Sequence, residues 1–255
     1  MEEAVRIEKN EGGCMKITIN RPDKRNAVNT AVMEGFELAL EEARADETVK
    51  AVILTGSGEK SFCSGGDIKE FSVLHTESEA LGMLARMGEI VYKLAVLPKP
   101  TIAFLNGNAF GGGCELAAAC DFRYAKKGVS FGFIQGTLGI TTGWGGASLL
   151  LEKIPPQAAM ELLMTSGIFS CEQGNELGFI DYIVSSLQDA DDMIEPILER
   201  ELNVLKSYKK MLVSRMQQNG LKERMKEEIN NCAVLWEADA HHIAVESFLN
   251  KKNNS

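Results

Sequence analysis

Apolar and polar residues alternate at the start of the chain, in Val5-Arg6-Ile7-Glu8 and again in Met15-Lys16-Ile17-Thr18-Ile19, on either side of Gly12-Gly13. Alternation with a period of two puts the apolar side chains on one face of a strand, so the two runs predict a β-hairpin. The period then changes to that of a helix. From Thr30 to Arg44 the apolar residues Val32, Phe36, Leu40 and Ala43 stand opposite Glu34, Glu37, Glu41 and Glu42, which predicts a helix begun at Asn29. Two uniformly apolar runs, Ala51-Val52-Ile53-Leu54-Thr55 before Gly56 and Thr101-Ile102-Ala103-Phe104-Leu105 before Asn106-Gly107, read as buried strands. Between them a helical stretch from about Glu77 to Leu97 is stopped by Pro98 and Pro100. A short helix from Glu115 to Ala119 and a strand Phe122-Arg123-Tyr124-Ala125 complete a second round, so the chain reads as an α/β spiral of repeated strand-strand-helix units with helices outside. From about Asp189 onward only helical spacing is left, in Met193 to Gln218, Leu221 to Ala238 and His241 to Lys251. The chain therefore divides into a core, 1–188, and a helical region, 189–255. The Leu, Met, Ile and Trp236 residues of that region exceed what one helical pair can hide, which predicts packing on another subunit.

Both buried strands lead into the same short pattern. Phe62-Cys63-Ser64-Gly65-Gly66-Asp67 and Phe110-Gly111-Gly112-Gly113-Cys114-Glu115 share the form F-x-x-G-x-[DE], and superposing them puts Ser64 on Gly112. A glycine-rich turn from strand to helix leaves backbone N–H groups unpaired and lets a ligand approach them, while the positive end of the helix dipole points the same way. Two such turns brought together supply a pair of donors for one anionic oxygen.

Composition narrows the classes. At 255 residues and 45% hydrophobic content the chain can bury a substantial core, and a formal charge of -9 argues against nucleic-acid or anionic-membrane binding. No stretch reaches the length of a membrane span, and the acidic start Met1-Glu2-Glu3-Ala4 is unlike a secretory or transit peptide, so a cytoplasmic location is expected. The 6 cysteines, Cys14, Cys63, Cys114, Cys120, Cys171 and Cys232, lack C-x-x-C spacing and suggest neither a metal site nor a disulfide framework.

The residues resemble a known family, the enoyl-CoA hydratase/isomerase or crotonase superfamily. The resemblance begins at Asn20-Arg21-Pro22-Asp23-Lys24-Arg25-Asn26-Ala27-Val28 and continues through both elbows, Leu116-Ala117 and Cys120-Asp121. It ends at Glu246-Ser247-Phe248-Leu249-Asn250-Lys251-Lys252. It implies a crotonase-like spiral of ββα units whose C-terminal helices build trimers, often paired into hexamers. It also implies that the amides matching Ser64 and Gly112 form an oxyanion hole for a coenzyme A thioester, with coenzyme A entering as part of the substrate and no separate cofactor. Lys24, Arg25, Ala27, Gly66, Asp67 and Ile68 match segments that line the coenzyme A site in relatives, with Lys24 and Arg25 suited to its phosphates and Lys251 and Lys252 weaker candidates of the same kind.

The hydratases of this family use two carboxylates. Glu115 matches the first. The second falls, in the ungapped segment Phe131 to Gly146, on Gln135, an amide that can hydrogen-bond but cannot shuttle a proton near neutral pH. Ala119-Cys120-Asp121-Phe122-Arg123 together with Gly143-Trp144-Gly145-Gly146 instead resembles the ethylmalonyl-CoA and methylmalonyl-CoA decarboxylase branch. Decarboxylation needs the enolate-stabilising hole but no base. In that reading Gln135 would donate to the substrate carboxylate, and Trp144 and Phe133 would lower the dielectric around it, although Trp144 reads equally well as core filler. Glu115, if ionised, would repel such a substrate unless its pKa is raised. Hydration by Glu115 alone and a non-catalytic binding protein of the same fold are the alternatives. A serine hydrolase built on Ser64 lacks a motif-linked base, since His241 and His242 read as surface or subunit contacts.

Overall fold

The computed structural model describes residues 3–253, with side chains as far as 250, so Lys251 and Lys252 as candidate phosphate contacts lie outside the described side chains. The hairpin is present as β1 (Val5–Lys9) and β2 (Cys14–Ile19), paired antiparallel. Helix α1 (Thr30–Ala45) follows, its first turn closed by the Asn29 side chain, which accepts from the Val32 N–H at 3.1 Å. Then come β3 (Ala51–Gly56), β4 (Ser61–Cys63), the short α2 (Ile68–Phe71) and the long α3 (Glu77–Ala95). The next round is β5 (Thr101–Leu105), β6 (Asn108–Phe110) and α4 (Gly112–Ala119). A third is β7 (Phe122–Lys126), β8 (Ser130–Gly132) and α5 (Gly146–Lys153).

Each round places one strand in each of two sheets, which is what makes the chain a spiral. The larger sheet has the order β1-β2-β3-β5-β7, and the smaller runs β4-β6-β8, with the strands of successive rounds parallel in both. Parallel strands covered on both faces must be apolar throughout, and every residue of β3 and β5 is buried. The α/β spiral read from the sequence is the observed fold.

The segments after the third round are α6 (Pro156–Thr165), β9 (Phe169–Ser170), α7 (Cys171–Glu176) and β10 (Tyr182–Val184). β9 and β10 close the small and large sheets respectively. The helical region holds α8 (Leu187–Leu198), α9 (Leu202–Gln218), α10 (Leu221–Glu237) and α11 (Asp239–Asn253). The stretch from Met193 to Gln218, read as one helix, is broken at 199–201. Half of the apolar surplus finds its partner within the chain: Leu221, Met225, Ile229, Cys232 and Ala233 of α10 are buried, and Ile229 packs against Gly88 of α3. Lys209 of α9 also reaches into the core, its Nζ 2.6 Å from Asp121 Oδ1. The other half is exposed, including Val204, Tyr208, Met211, Val234 and Ile243.

Among the described residues no helix is long and apolar enough to cross a membrane, and no cluster of three or more His, Cys, Asp or Glu is placed to hold a metal ion.

Candidate active site

The two elbows lie side by side because β4 and β6 are parallel neighbours, and the strand register decides which residues correspond. Cys63 pairs with Ala109, after an irregularity between Ser61 and Cys63. Two residues further on, Gly65 therefore matches Gly111, and Gly66 matches Gly112. The backbone agrees, since Gly65 (φ 92°) and Gly111 (φ 53°) both occupy the left-handed region that a Cβ disfavours. The superposition of Ser64 on Gly112 is corrected accordingly. Its physical reason is that the two phenylalanines are not equivalent: Phe62 is fully buried, whereas Phe110 is half-buried at the end of its strand.

Ser64 is also excluded as a donor, because its N–H is already given to the Arg25 carbonyl at 3.1 Å. Among the described residues nothing accepts from the amides of Gly66 or Gly112, and both residues line the same cavity. Helix α4 starts three residues before the expected Glu115, which makes the Gly112 amide one of the free donors of a helix N-terminus. The Trp144 indole lies against this pair: a Cβ on Gly112 would overlap it, and one on Gly66 would meet it at 3.7 Å. Trp144 is thus both core filler and the wall behind the two amides.

Glu115 stands in the first turn of α4 and is 2% exposed. Its Oε1 accepts from Gln135 Nε2 at 2.9 Å and from the Gly143 N–H at 3.4 Å, and its Oε2 from the Trp144 and Gly146 N–H groups at 2.9 and 2.8 Å. Glycine is needed at 146 because a Cβ there would overlap the Glu115 side chain. Burial pushes the Glu115 carboxyl up to about 7 and the nearby charge of Glu228 adds to the push, while the three backbone donors oppose it.

A carboxyl whose pKa rises on folding holds its proton more tightly in the folded chain. Between its ordinary 4.5 and about 7, the unfolded chain carries fewer protons at this site, so Glu115 makes stability fall as pH rises through that window. Unfolding by denaturant at pH 5 and pH 8 is expected to show this loss, on the order of 3 kcal/mol, in the native chain relative to Glu115→Gln. An equal pH dependence in both proteins would contradict it.

Gln135 differs from its expectation. Its Nε2 is turned to Glu115 rather than outward, and its Oε1 is buried without a hydrogen-bond partner among the described residues. The cavity beyond is walled mainly by apolar side chains such as Ile68, Phe71, Leu84 and Ile140, with Val245 and Phe248 of α11 on its far side. Apart from Glu115 and Cys232, the ionisable residues on its walls are His241 and His242, in place of the surface or subunit contacts that the sequence suggests. His241 is 3% exposed and donates from Nδ1 to the Leu138 carbonyl at 2.7 Å, which leaves Nε2 as its free nitrogen. Burial holds its pKa below the ordinary value. His75, on the loop before α3, stands with its ring centre 5.4 Å from that of His242. No motif joins these three residues, so only the meeting of α11 with that loop reveals them.

Residues 9–255 match the family model described as "Enoyl-CoA hydratase/isomerase". The chain belongs to this family. It is 38% identical over 175 residues to the short-chain-enoyl-CoA hydratase of Clostridium acetobutylicum, a match spanning 68% of this chain and 66% of that protein. It is 29% identical over 238 residues to the ethylmalonyl-CoA decarboxylase of Xenopus laevis, spanning 91% of this chain and 79% of that one. The crystal structure of an enoyl-CoA hydratase/isomerase from Mycobacterium paratuberculosis superposes with a TM-score of 0.88 at 23% identity, covering 97% of this chain and 99% of that one, and so shares its fold.

The residues that the family resemblance pointed to divide into two groups. Ser64, Gly66, Ile68, Gly112, Glu115, Gln135 and Trp144 line the cavity, whereas Lys24, Arg25, Ala27 and Asp67 stand outside its walls. Lys24 and Arg25 are exposed on the turn that follows Pro22, and Arg25 (φ 52°) and Asn26 (φ 54°) are both left-handed. Asn26 fastens this turn to the first elbow by donating to the Ser61 carbonyl at 2.7 Å. Asp67 caps α2 and pairs with Arg21 at 2.9 Å, and Arg21 also donates to the Ala27 carbonyl at 2.6 Å. The enoyl-CoA hydratase/isomerase signature at Asn20 to Val28 is therefore, in large part, the clamp that holds the first elbow in place.

Proposed function

We propose that the chain acts on an acyl-CoA thioester by stabilising its enolate at the amides of Gly66 and Gly112, and that the acyl group carries a carboxylate lost as carbon dioxide. The observation that carries this reading is the pairing of Gln135 with Glu115. The site has one proton-transferring carboxyl where hydration of the family type uses two, and that carboxyl is half-protonated near pH 7. In the proposed step the bond from the α-carbon to the carboxylate breaks, and its electron pair passes into the enolate. The charge reaches the thioester oxygen, where one well-placed backbone donor stabilises it by about 2.7–4 kcal/mol. Carbon dioxide departs, and neutral Glu115 gives its proton to the α-carbon. A neutral Glu115 also removes the repulsion that an ionised one would exert on the substrate. His242 is a group on the cavity walls able to donate a hydrogen bond to the substrate carboxylate.

Hydration by Glu115 alone is the second reading, favoured by the likeness to the Clostridium hydratase. Incubation with crotonyl-, 3-enoyl-, methylmalonyl- and ethylmalonyl-CoA, with products read by mass, separates the two. Loss of carbon dioxide from a carboxyacyl-CoA supports the first, and addition of water to crotonyl-CoA alone overturns it.

Coenzyme A enters with the substrate in this reading, and no separate cofactor is needed. Lys24 and Arg25 supply charge for its phosphates from outside the cavity. The apolar residues left exposed on α9, α10 and α11 are covered by other copies of the chain, giving a trimer or a pair of trimers, and the location is the cytoplasm. Light scattering is expected to give a mass of three or six chains at micromolar concentration, and a monodisperse monomer would contradict the assembly.

A further inference from the structure

A second carboxylate, the half-buried Glu228 of α10, takes no part in the steps above. Its Oε1 accepts from Thr142 Oγ1 at 2.5 Å and the Ala147 N–H at 3.0 Å, and its Oε2 from the Ser148 N–H at 2.8 Å and Ser148 Oγ at 2.7 Å. Glu115 accepts from the Gly146 N–H. The successive amides of residues 146, 147 and 148, at the start of α5, are therefore shared between two carboxylates, one from α4 and one from α10.

A helix N-terminus carries roughly half a positive charge, too little to compensate two negative ones. Two such groups titrate as a unit, and ionising one makes the other harder to ionise. The partners also differ. All four donors to Glu115 are N–H groups, whereas two of the donors to Glu228 are hydroxyls at 2.5 and 2.7 Å, short bonds of the kind that favour the charged carboxylate. Cys114 on α4 and Cys232 on α10 lie near the pair, and burial pushes both thiols up, that of Cys232 to about 12, so they stay neutral. His241 on α11 lines the same cavity, and burial lowers its pKa.

We infer that Glu228 is a positioning residue for the reaction: it shares one proton with Glu115 across the N-terminus of α5 and so keeps Glu115 in the protonated form that delivers a proton to the substrate. The inference rests on the proposed role of Glu115 as proton donor. It assigns a functional reason for the folding of α10 against the spiral core, since the tail supplies the charge that tunes the site.

The test is the Glu228→Gln variant of the full chain, which keeps the side chain's size and one acceptor oxygen. In the native protein, turnover of the accepted carboxyacyl-CoA is expected to fall as pH rises past about 7, with the loss of the Glu115 proton. In Glu228→Gln that fall is expected to move about one pH unit toward acid, which is roughly a tenfold loss of rate above neutrality with little change well below it. Glu228→Asp, which restores the charge, is expected to return the fall toward its native position. An unshifted pH profile in a folded Glu228→Gln protein overturns the inference, because a purely structural cap lowers the rate equally at every pH. Infrared titration of the buried carboxyl band, with Glu115→Gln as the assignment control, reads the same shift without substrate. If the band shifts but turnover does not follow it, the coupling stands and the role of Glu115 as donor is what fails.

Discussion

Replacing Gly66 by proline is expected to lower turnover by about 10²–10³-fold while leaving the fold intact, because it deletes one oxyanion donor and little else. There is room for the change: a Cβ at 66 would meet only the Phe71 ring at 3.4 Å and the Trp144 ring at 3.7 Å. Its φ is not in the left-handed region either, in contrast to that of Gly65. Gly66→Ala is the matched control, since it adds the same first carbon and keeps the N–H, and it is expected to retain most of the activity. Ser64→Ala is expected to be nearly silent, its amide being given to Arg25. Steady-state kinetics on the three variants, with circular dichroism and thermal melting to confirm folding, decide the matter. Full activity in a folded Gly66→Pro protein would remove the elbow pair from the mechanism.

The second large effect is expected at Gln135. A glutamate there would stand where the amide nitrogen now lies, 2.9 Å from Glu115 Oε1, in a site already coupled to Glu228. Two carboxylates at that distance cannot both be ionised in a buried pocket, so they would hold a proton between them. Gln135→Glu would thereby rebuild the two-carboxylate arrangement of hydration and add negative charge beside a carboxylated substrate. Crotonyl-CoA hydration is expected to rise by 10²–10⁴-fold, the usual worth of a general acid or base, and decarboxylation to fall. Measuring both rates on the same preparations gives opposite movements if the proposal is right. A native protein that already hydrates crotonyl-CoA at ordinary enzymatic rates, with no gain from Gln135→Glu, would favour hydration by Glu115 alone.

Much of this site was legible in the chain. The two apolar runs at 51–55 and 101–105 are strands because an all-apolar segment of that length is stable only when covered on both faces, and that requirement is local. The glycine-rich elbows, Glu115 at the second of them and the amide at Gln135 were equally plain, since each is a residue type at a spacing. The expectation that the raised pKa of Glu115 would reconcile it with a carboxylated substrate also matches its burial.

What the sequence could not supply was register and company. F-x-x-G-x-[DE] repeats in spelling, yet the strands pair one residue out of step with it at Ser61 and, after the irregularity before Cys63, two residues out of step, so the free amide is that of Gly66 and not of Ser64. A β-bulge costs one unpaired residue and leaves no fixed signature, so only the paired strands reveal it. Glu228 sits in a helix rich in Glu and Lys, where a solvated carboxylate is the ordinary case, and it comes to share the start of α5 with Glu115 only because α10 lies against α5. The three histidines come together for the same reason, through the approach of α11 to the loop before α3. The repeated units and the chemistry each elbow can offer are written in the chain, because those follow from short-range periodicity and backbone freedom. Which amide is left free, which way Gln135 turns and which charges share a helix end were decided only by tertiary packing, because they depend on contacts between segments far apart in the chain.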